Sequence, residues 1–330
     1  MTEKLHLHIK NNRDGELVFR NSPAQYRKAA KRNPGVADQI KVTFSWDFDD
    51  LDKYLATANA LVTWELPTEN LAERAPNLKN IHIIGAGVEH LSPINWLPRH
   101  TTMTNNRGVH AAKAEDYAGM ALSMLNNNIP KYVSDQKAKI WSPIFARPIV
   151  GKTVLIVGVG EMGGAVAKAA KRLGLHVLGI RRHGKQARNV DEMFKPSALR
   201  QQLRRADYLV VTTPLTDETR GMIGRREMGL MKKSAGIINM SRAPVIDEVA
   251  LADKLGAGEL AGAILDVTDP EPLNKSSKLW SVANLIITPH VSADDDVDYV
   301  PATLDLVLDN MERLLTGKSL RNKVNPKLGY

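Results

Sequence analysis

Residues 151–164 read GKTVLIVGVGEMGG, and the rest of the chain becomes legible outward from them. Thr153–Val157 is a β-branched, apolar run of the kind that fills a buried parallel strand. It ends in Gly158-Val-Gly160-Glu161-Met162-Gly163, after which residues 165–173 carry the pattern of a helix. A G-x-G-x-x-G has meaning only between a strand and a helix, and here it has both neighbours. In that setting Gly158 permits the tight turn, Gly160 lets backbone approach a pyrophosphate, and Gly163 lets helix and strand pack closely. The helix N-terminus then presents unpaired N–H groups and a positive dipole end to the phosphates. The stretch predicts a dinucleotide-binding turn.

On either side the chain alternates. Upstream, strands are expected at 5–9, 40–46, 60–64, 79–84 and 101–105. Helices are expected at 23–32, 49–57 and from Pro67-Thr68-Glu69, with Thr68 as cap. A long helix follows at 111–127, ended by three asparagines and Pro130, and a loop with Trp141, Pro143 and Pro148 leads to the glycine stretch. Downstream, strands are expected at 175–180, 208–212, 236–239, 262–265 and 285–288. The last helix, 294–315, contains Pro301, which predicts a kink or a break. Such alternation implies parallel sheets with helices on both faces. A chain of 330 residues suits two such domains.

Composition narrows the function classes. Apolar content of 43% and charged content of 25% are those of a globular protein, and no apolar run is long enough to span a bilayer. The N-terminus lacks the apolar core of a signal peptide, so a cytoplasmic location is expected by elimination. Zero cysteines excludes disulfides, thiolate metal sites and cysteine nucleophiles. A net charge of +9 raises nucleic acid as a partner. However, the basic residues are scattered and aromatics make up only 5% of the chain, so attraction of small anions is the better reading. His6 and His8 share one strand face, but with no third ligand in view they read as two partly exposed histidines and no metal is expected.

The residues that carry chemistry follow predicted strand ends, where open α/β sheets bind ligands. The strand ending at Ile180 runs into Arg181, Arg182, His183 and Lys185, where an NAD site usually has an acid for the ribose 2′-hydroxyl. The acid is missing and bases stand in its place, which favours a 2′-phosphate and so NADP, with NAD as the second candidate. Arg242 follows the strand at 236–239, and an arginine can clamp a carboxylate with two parallel hydrogen bonds. Asp266 and Glu271 follow the strand at 262–265, and His290 follows the one at 285–288. A histidine beside a carboxylate is a general acid whose pKa the neighbour raises.

At this point the segments GAGVEHL (85–91), VGVGEMGG (157–164), TPLTDETRGMIG (213–224), NMSRAPVID (239–247), LDVTDPEPL (265–273) and TPHVSA (288–293) resemble the D-isomer-specific 2-hydroxyacid dehydrogenases. The resemblance covers nearly the whole chain and is greatest for the glyoxylate/hydroxypyruvate reductase branch. It implies that Arg242 binds the carboxylate and polarises the keto oxygen, that His290 donates the proton, and that Glu271 keeps His290 charged and oriented. It implies nicotinamide contact at Asp266, cofactor contacts at Glu161, Met162, Thr213 and Pro214, and substrate contact by the backbone at Gly87 and Val88. It implies a discontinuous flavodoxin-like substrate domain (1–108 and 294–330), a Rossmann domain (109–293), an active cleft between them, and a homodimer. The chain departs from the family at Ala243, where glycine is usual after the arginine, and near the start of the long helix, where Asp116 is preceded by Glu115. The activity implied is reduction of a small 2-oxo acid with NADPH. A phosphoglycerate dehydrogenase-like enzyme and a dinucleotide-sensing co-repressor are the competing readings.

Overall fold

The computed structural model describes residues 4–330, which divide into two compact units, 4–110 with 294–330, and 111–293. In the first unit the strands are β1 (Leu5–Asn11), β2 (Ile40–Trp46), β3 (Ala60–Thr63), β4 (Asn80–Ile83) and β5 (Thr102–Asn105). They form one parallel sheet of order β2-β1-β3-β4-β5. The core includes Leu7 and Ile9 of β1 and Val62 of β3, packed against Leu304, Val307, Leu308 and Met311 of the Tyr299–Leu315 helix. That helix, more than 280 residues later than β1 in sequence, returns the chain to its first sheet.

The second unit has seven parallel strands: β6 (Thr153–Val157), β7 (His176–Ile180), β8 (Glu192–Phe194), β9 (Tyr208–Val211), β10 (Gly236–Asn239), β11 (Gly262–Leu265) and β12 (Leu285–Ile287). Their order is β12-β11-β10-β9-β6-β7-β8, so the winding direction reverses between β6 and β9. Val154, Leu155, Ile156 and Val157 are all buried between helices on both faces, which explains the unbroken apolar run. The register aligns the strand ends. Val157 lies opposite Ile180 and Val211, Val211 opposite Asn239, Asn239 opposite Leu265, and Leu265 opposite Ile287. Every loop leaving these ends therefore emerges on one edge. The Ala111–Asn126 helix packs on Glu161–Arg172, where Glu115 accepts from Lys168 at 2.7 Å and pairs with Arg172, while Asp116 is turned to solvent.

Four expectations need correcting. The helix expected from Pro67-Thr68-Glu69 begins later, at Leu71–Arg74, and its cap position is Asn70 in a left-handed conformation without a side-chain cap bond. Pro301 neither kinks nor breaks a helix, because that helix starts at Tyr299 and places Pro301 in its first turn, where backbone N–H groups have no intrahelical partner. A second helix, Ile129–Ala138, follows the asparagines, with Pro130 in its first turn instead of beyond an end. His6 and His8 are buried, not partly exposed. His6 bonds Thr57 and Thr43 at 2.9 and 2.7 Å, and His8 bonds Thr43 and Ser45 at 2.8 and 2.9 Å. All four ring nitrogens are used by hydroxyls, so the pair is a packed polar core, and no group of three metal-ligating side chains occurs among the described residues.

Candidate active site

Gly158 sits at the end of β6 with φ +101°, a conformation side chains rarely adopt, and a Cβ there would lie 2.5 Å from the Thr213 nitrogen. A Cβ on Gly163 would lie 2.3 Å from the Gly158 carbonyl oxygen, so helix and turn touch directly. At Gly160 nothing lies within 4 Å of the Cβ position. The turn is thus crowded where helix meets strand and open where a phosphate would approach, a cradle that fits a dinucleotide. Thr212 closes it from the neighbouring strand end, its hydroxyl donating to the Gly158 carbonyl at 2.8 Å. Glu161 is exposed and Met162 half-buried at the start of the helix, and Thr213 and Pro214 stand across the switch point.

The bases after β7 differ among themselves. Arg182 donates to Glu218 at 2.8 Å. Arg181 is half-buried and has no carboxylate within ion-pair distance among the described residues, and Lys185 is exposed. Glu218, in the loop after β9, competes for Arg182, a pairing across 36 residues that no local sequence pattern signals.

Three loops carry the ionisable groups. After β10, Asn239 accepts from the Ser241 N–H at 3.0 Å and hydroxyl at 2.7 Å, and its amide donates to the Arg242 carbonyl at 3.2 Å. This network shapes the loop around half-buried Arg242, and Ala243 is accommodated inside it as a buried residue. After β11, Asp266 is buried and its carboxylate accepts from the Thr288 hydroxyl at 2.6 Å and from the Val291 and Ser292 N–H groups at 2.9 Å each. Its backbone carbonyl also takes the His290 N–H at 2.8 Å. In this structure Asp266 is therefore the anchor of the loop that bears His290. Thr288 and Tyr117, whose hydroxyls meet at 2.7 Å, extend that anchor to the Ala111–Asn126 helix, and neither was singled out from sequence. Their only signal is a polar residue at the mouth of an otherwise apolar strand or helix face.

His290 has φ +54°, a left-handed conformation costly for a residue with a side chain and here held by those Asp266 contacts. Its Nδ1 faces Glu271 Oε2 at 2.8 Å, while Glu271 Oε1 accepts from the Thr268 N–H at 3.1 Å. Nε2 has no partner among the described residues, and the side chain is 42% exposed. The hydrogen bond to Glu271 raises the His290 pKa above its ordinary value, against the opposing effect of burial. Burial alone would push the Glu271 carboxyl up, but the hydrogen bond and charge of His290 outweigh it and hold the group below the usual range. The pair is an oriented imidazole with one nitrogen tied to a carboxylate and the other open, the arrangement of a general acid–base catalyst.

In the first unit, the loop after β4 is held by its own hydrogen bonds. Asn105 donates to the Ala86 carbonyl at 2.6 Å, and Asn106 donates from its backbone to Gly85 at 3.0 Å and from its side chain to Ile84 at 2.8 Å. The carbonyls are tied down, whereas the N–H groups of Gly87 and Val88 have no acceptor among the described residues. Trp64 lies over this loop, stacked on His90 with centroids 3.9 Å apart, and a Cβ on Gly85 would meet its ring at 2.5 Å.

Residues 119–292 match the family model described as D-isomer specific 2-hydroxyacid dehydrogenase, NAD binding domain. The chain belongs to this family. Its members are NAD(P)-dependent oxidoreductases of 2-hydroxy acids, and the turn, arginine and histidine–glutamate pair above are this dehydrogenase's candidate machinery. Among curated relatives, the glyoxylate/hydroxypyruvate reductase B of Enterobacter is 30% identical, the match covering 94% of this chain and 97% of that one. Among solved structures, a D-isomer specific 2-hydroxyacid dehydrogenase from Xanthobacter autotrophicus, in complex with NADPH and MES, superposes with a TM-score of 0.82 at 25% identity, over 98% and 99% of the two chains. An NADPH-dependent glyoxylate/hydroxypyruvate reductase from Sinorhizobium meliloti, in complex with NADP and sulfate, gives 0.81 at 25% identity, over 98% and 100%.

Proposed function

We propose that this dehydrogenase reduces a small 2-oxo acid, glyoxylate or hydroxypyruvate, using NADPH. The observation that carries the reading is the His290–Glu271 pair with Nε2 open, on the same sheet edge as Arg242 and the glycine turn. The names of the reductase relatives supply the substrate class. A reduced nicotinamide, when bound, supplies the hydride. The chain's own groups do the rest. The Arg242 guanidinium takes the carboxylate and polarises the adjacent carbonyl oxygen. In the first unit, the N–H groups of Gly87 and Val88 are the candidate substrate contacts. Protonated His290 delivers its Nε2 proton to that oxygen, and Glu271 stabilises the charged imidazole until it does so. A ketone lacking the carboxylate forgoes the paired hydrogen bonds from the arginine, so it is a poor substrate. Gly158, Gly160 and Gly163 would hold the pyrophosphate, with Glu161, Met162, Thr213 and Pro214 around it. Arg181, with Arg182 and Lys185 nearby, would meet the 2′-phosphate.

The test is kcat/KM for glyoxylate, hydroxypyruvate, pyruvate and a branched 2-oxo acid with NADPH and with NADH. A branched acid preferred tenfold or more over both small ones overturns the substrate assignment. Oxidation of 3-phosphoglycerate in preference to all of them moves the protein to the phosphoglycerate dehydrogenase-like reading. Absence of any turnover favours the sensing role.

The same reading includes a homodimer. The segment at 140–148 has no regular structure, yet Trp141 and Phe145 are 95% and 93% exposed and Ile140 and Ile144 are exposed beside them. Tyr132 pins the segment through hydrogen bonds with the Ile144 N–H and carbonyl, at 3.0 and 2.8 Å. A pinned apolar arm of this kind supports association through this segment, and two-fold dimers are the commonest oligomers. Sedimentation at micromolar concentration should give a dimer, and Trp141→Ser with Phe145→Ser should shift it to monomer.

A further inference from the structure

His290 stands in a costly backbone conformation, and what holds it there can be followed bond by bond to another element. Three N–H groups of the loop after β12 end on one residue. The His290 N–H goes to the Asp266 carbonyl at 2.8 Å, and the Val291 and Ser292 N–H groups go to the Asp266 carboxylate at 2.9 Å each. Asp266 is 1% exposed, so its carboxylate depends on donors from the protein. The shortest of these is the Thr288 hydroxyl, at 2.6 Å from Oδ1. The backbone of Thr288 is itself fixed, its N–H on the Leu265 carbonyl at 2.9 Å and its carbonyl accepting from the His290 N–H at 3.0 Å. A carboxylate only accepts, so Thr288 spends its one hydroxyl proton on Asp266 and can only accept from Tyr117. The Tyr117 hydroxyl, 2.7 Å away, is therefore the donor. Tyr117 is buried, which raises its pKa to about 12, so it keeps that proton at neutral pH.

We infer that Thr288 is a positioning residue for His290, and that Tyr117, from the Ala111–Asn126 helix, orients the Thr288 hydroxyl for that task. This rests on the reading of His290 as the proton donor. The donors run one way, from Tyr117 to Thr288 to Asp266, and Asp266 holds residues 290–292. Without the Thr288 hydroxyl, Asp266 loses its shortest contact and its side-chain tie to the strand end. Its carboxylate can then turn, the left-handed backbone at His290 relaxes, and Nδ1 moves off Glu271. Proton delivery needs Nε2 within hydrogen-bond reach of the substrate oxygen, so a small displacement is expensive. Substrate binding rests on Arg242, so the loss falls on kcat more than on KM.

The test is a set of variants of the full chain. Thr288→Val keeps the shape of the side chain and removes the hydroxyl. Its kcat for 2-oxo acid reduction should fall about tenfold with KM within about twofold, and Thr288→Ser should restore kcat to within about twofold of the parent. Tyr117→Phe should cost about threefold. Because Tyr117 acts through Thr288, adding it to Thr288→Val should cost nothing further, whereas independent effects would multiply to about thirtyfold. The His290 titration midpoint, read by NMR on ring-labelled protein without substrate, should fall in Thr288→Val as the Glu271 bond that raises it lengthens. The charges that act on His290, from Glu271, Arg242 and Asp266, are all retained in these variants, so the fall reports geometry. Parent kcat and midpoint in Thr288→Val, multiplied losses in the double variant, or no rescue by serine overturns the inference. Where the valine variant does not fold, Tyr117→Phe decides by the same two readouts. A midpoint that falls in a protein with no turnover of any 2-oxo acid would sink the functional reading and leave this one standing. Turnover with kcat and midpoint unchanged would do the reverse.

Discussion

Histidines at the two sheets meet opposite fates. In the first unit, His6, His8 and His82 are buried within strands, each with both ring nitrogens engaged. His82 bonds Thr104 at 3.0 Å and Asn106 at 2.8 Å, beside the Thr-and-Ser network of His6 and His8. Burial lowers all three pKa values, to about 4 for His8 and for His82. In the second unit, His290 stands beyond a strand end, has a carboxylate on one nitrogen and no partner among the described residues on the other, and its pKa is raised. Residue type does not separate these cases. What separates them is whether the hydrogen-bonding capacity is consumed within the protein or left open at a strand end.

The largest effect should come from testing that contrast directly. His290→Ala should lower kcat for 2-oxo acid reduction by about two orders of magnitude or more, the usual scale of general acid catalysis. His8→Gln keeps groups able to bond Thr43 and Ser45, so turnover at neutral pH should stay within about twofold, since no reacting group is touched. Comparable losses in kcat from both variants would show that the distinction between spent and open histidines does not track function here.

The arginines after β7 repeat the contrast on a smaller scale. Arg182 is spent on Glu218, whereas Arg181 has no carboxylate partner among the described residues. A charge-assisted hydrogen bond contributes about 1.5–3 kcal/mol, which corresponds to roughly tenfold to a hundredfold in affinity. Arg181→Ala should raise the NADPH Kd by that factor and leave NADH nearly unchanged. Arg182→Ala should cost less, because Arg182 must first release Glu218. Equal weakening of both cofactors by Arg181→Ala would remove it from the 2′-phosphate.

This contrast also marks what could be read from the sequence. The apolar run before Gly158 and the glycine spacing each have a local physical cause, so strand, turn and helix were legible at Thr153–Val157 and Glu161–Arg172. So were the strand ends that carry Arg242, Glu271 and His290, because buried parallel strands announce where they stop. Less legible was anything decided by a distant partner. The burial of His6 and His8 depends on Thr43, Ser45 and Thr57, all more than 30 residues away. The anchor of the His290 loop depends on Asp266 meeting Thr288 and Tyr117, and no local pattern joins those positions. Pro301 was misjudged because the pattern ran the helix too far upstream, which turned an acceptable first-turn proline into an apparent break. The short edge strand Glu192–Phe194 has too few residues to show a period at all.

The smallest effect sought is on stability, and it tests the buried half of the contrast alone. His8 is fully buried, and desolvation lowers its pKa from 6.5 to about 4, with the neighbouring His6 adding to the shift. The unfolded chain therefore binds a proton at His8 in a range where the folded chain does not. A histidine lowered in this way stabilises the fold fully above pH 6.5, and that stability is lost as pH falls towards 4. At about 1.36 kcal/mol per unit, the loss is about 3 kcal/mol by the lower end of the window. His82, lowered to a similar value, should add a comparable loss over the same range. Urea unfolding followed by circular dichroism between pH 7 and 4 should show stability declining with acid. In His8→Gln, which cannot titrate, the decline should be shallower by up to about 3 kcal/mol. The carboxylates lowered in the fold, such as Asp191 and Asp309, lose their contribution at lower pH and do not replace this slope in the upper part of the window. A glutamine variant with the parent's full acid slope would mean that His8 takes up its proton in the folded state, through Thr43 and Ser45 rearranging around it.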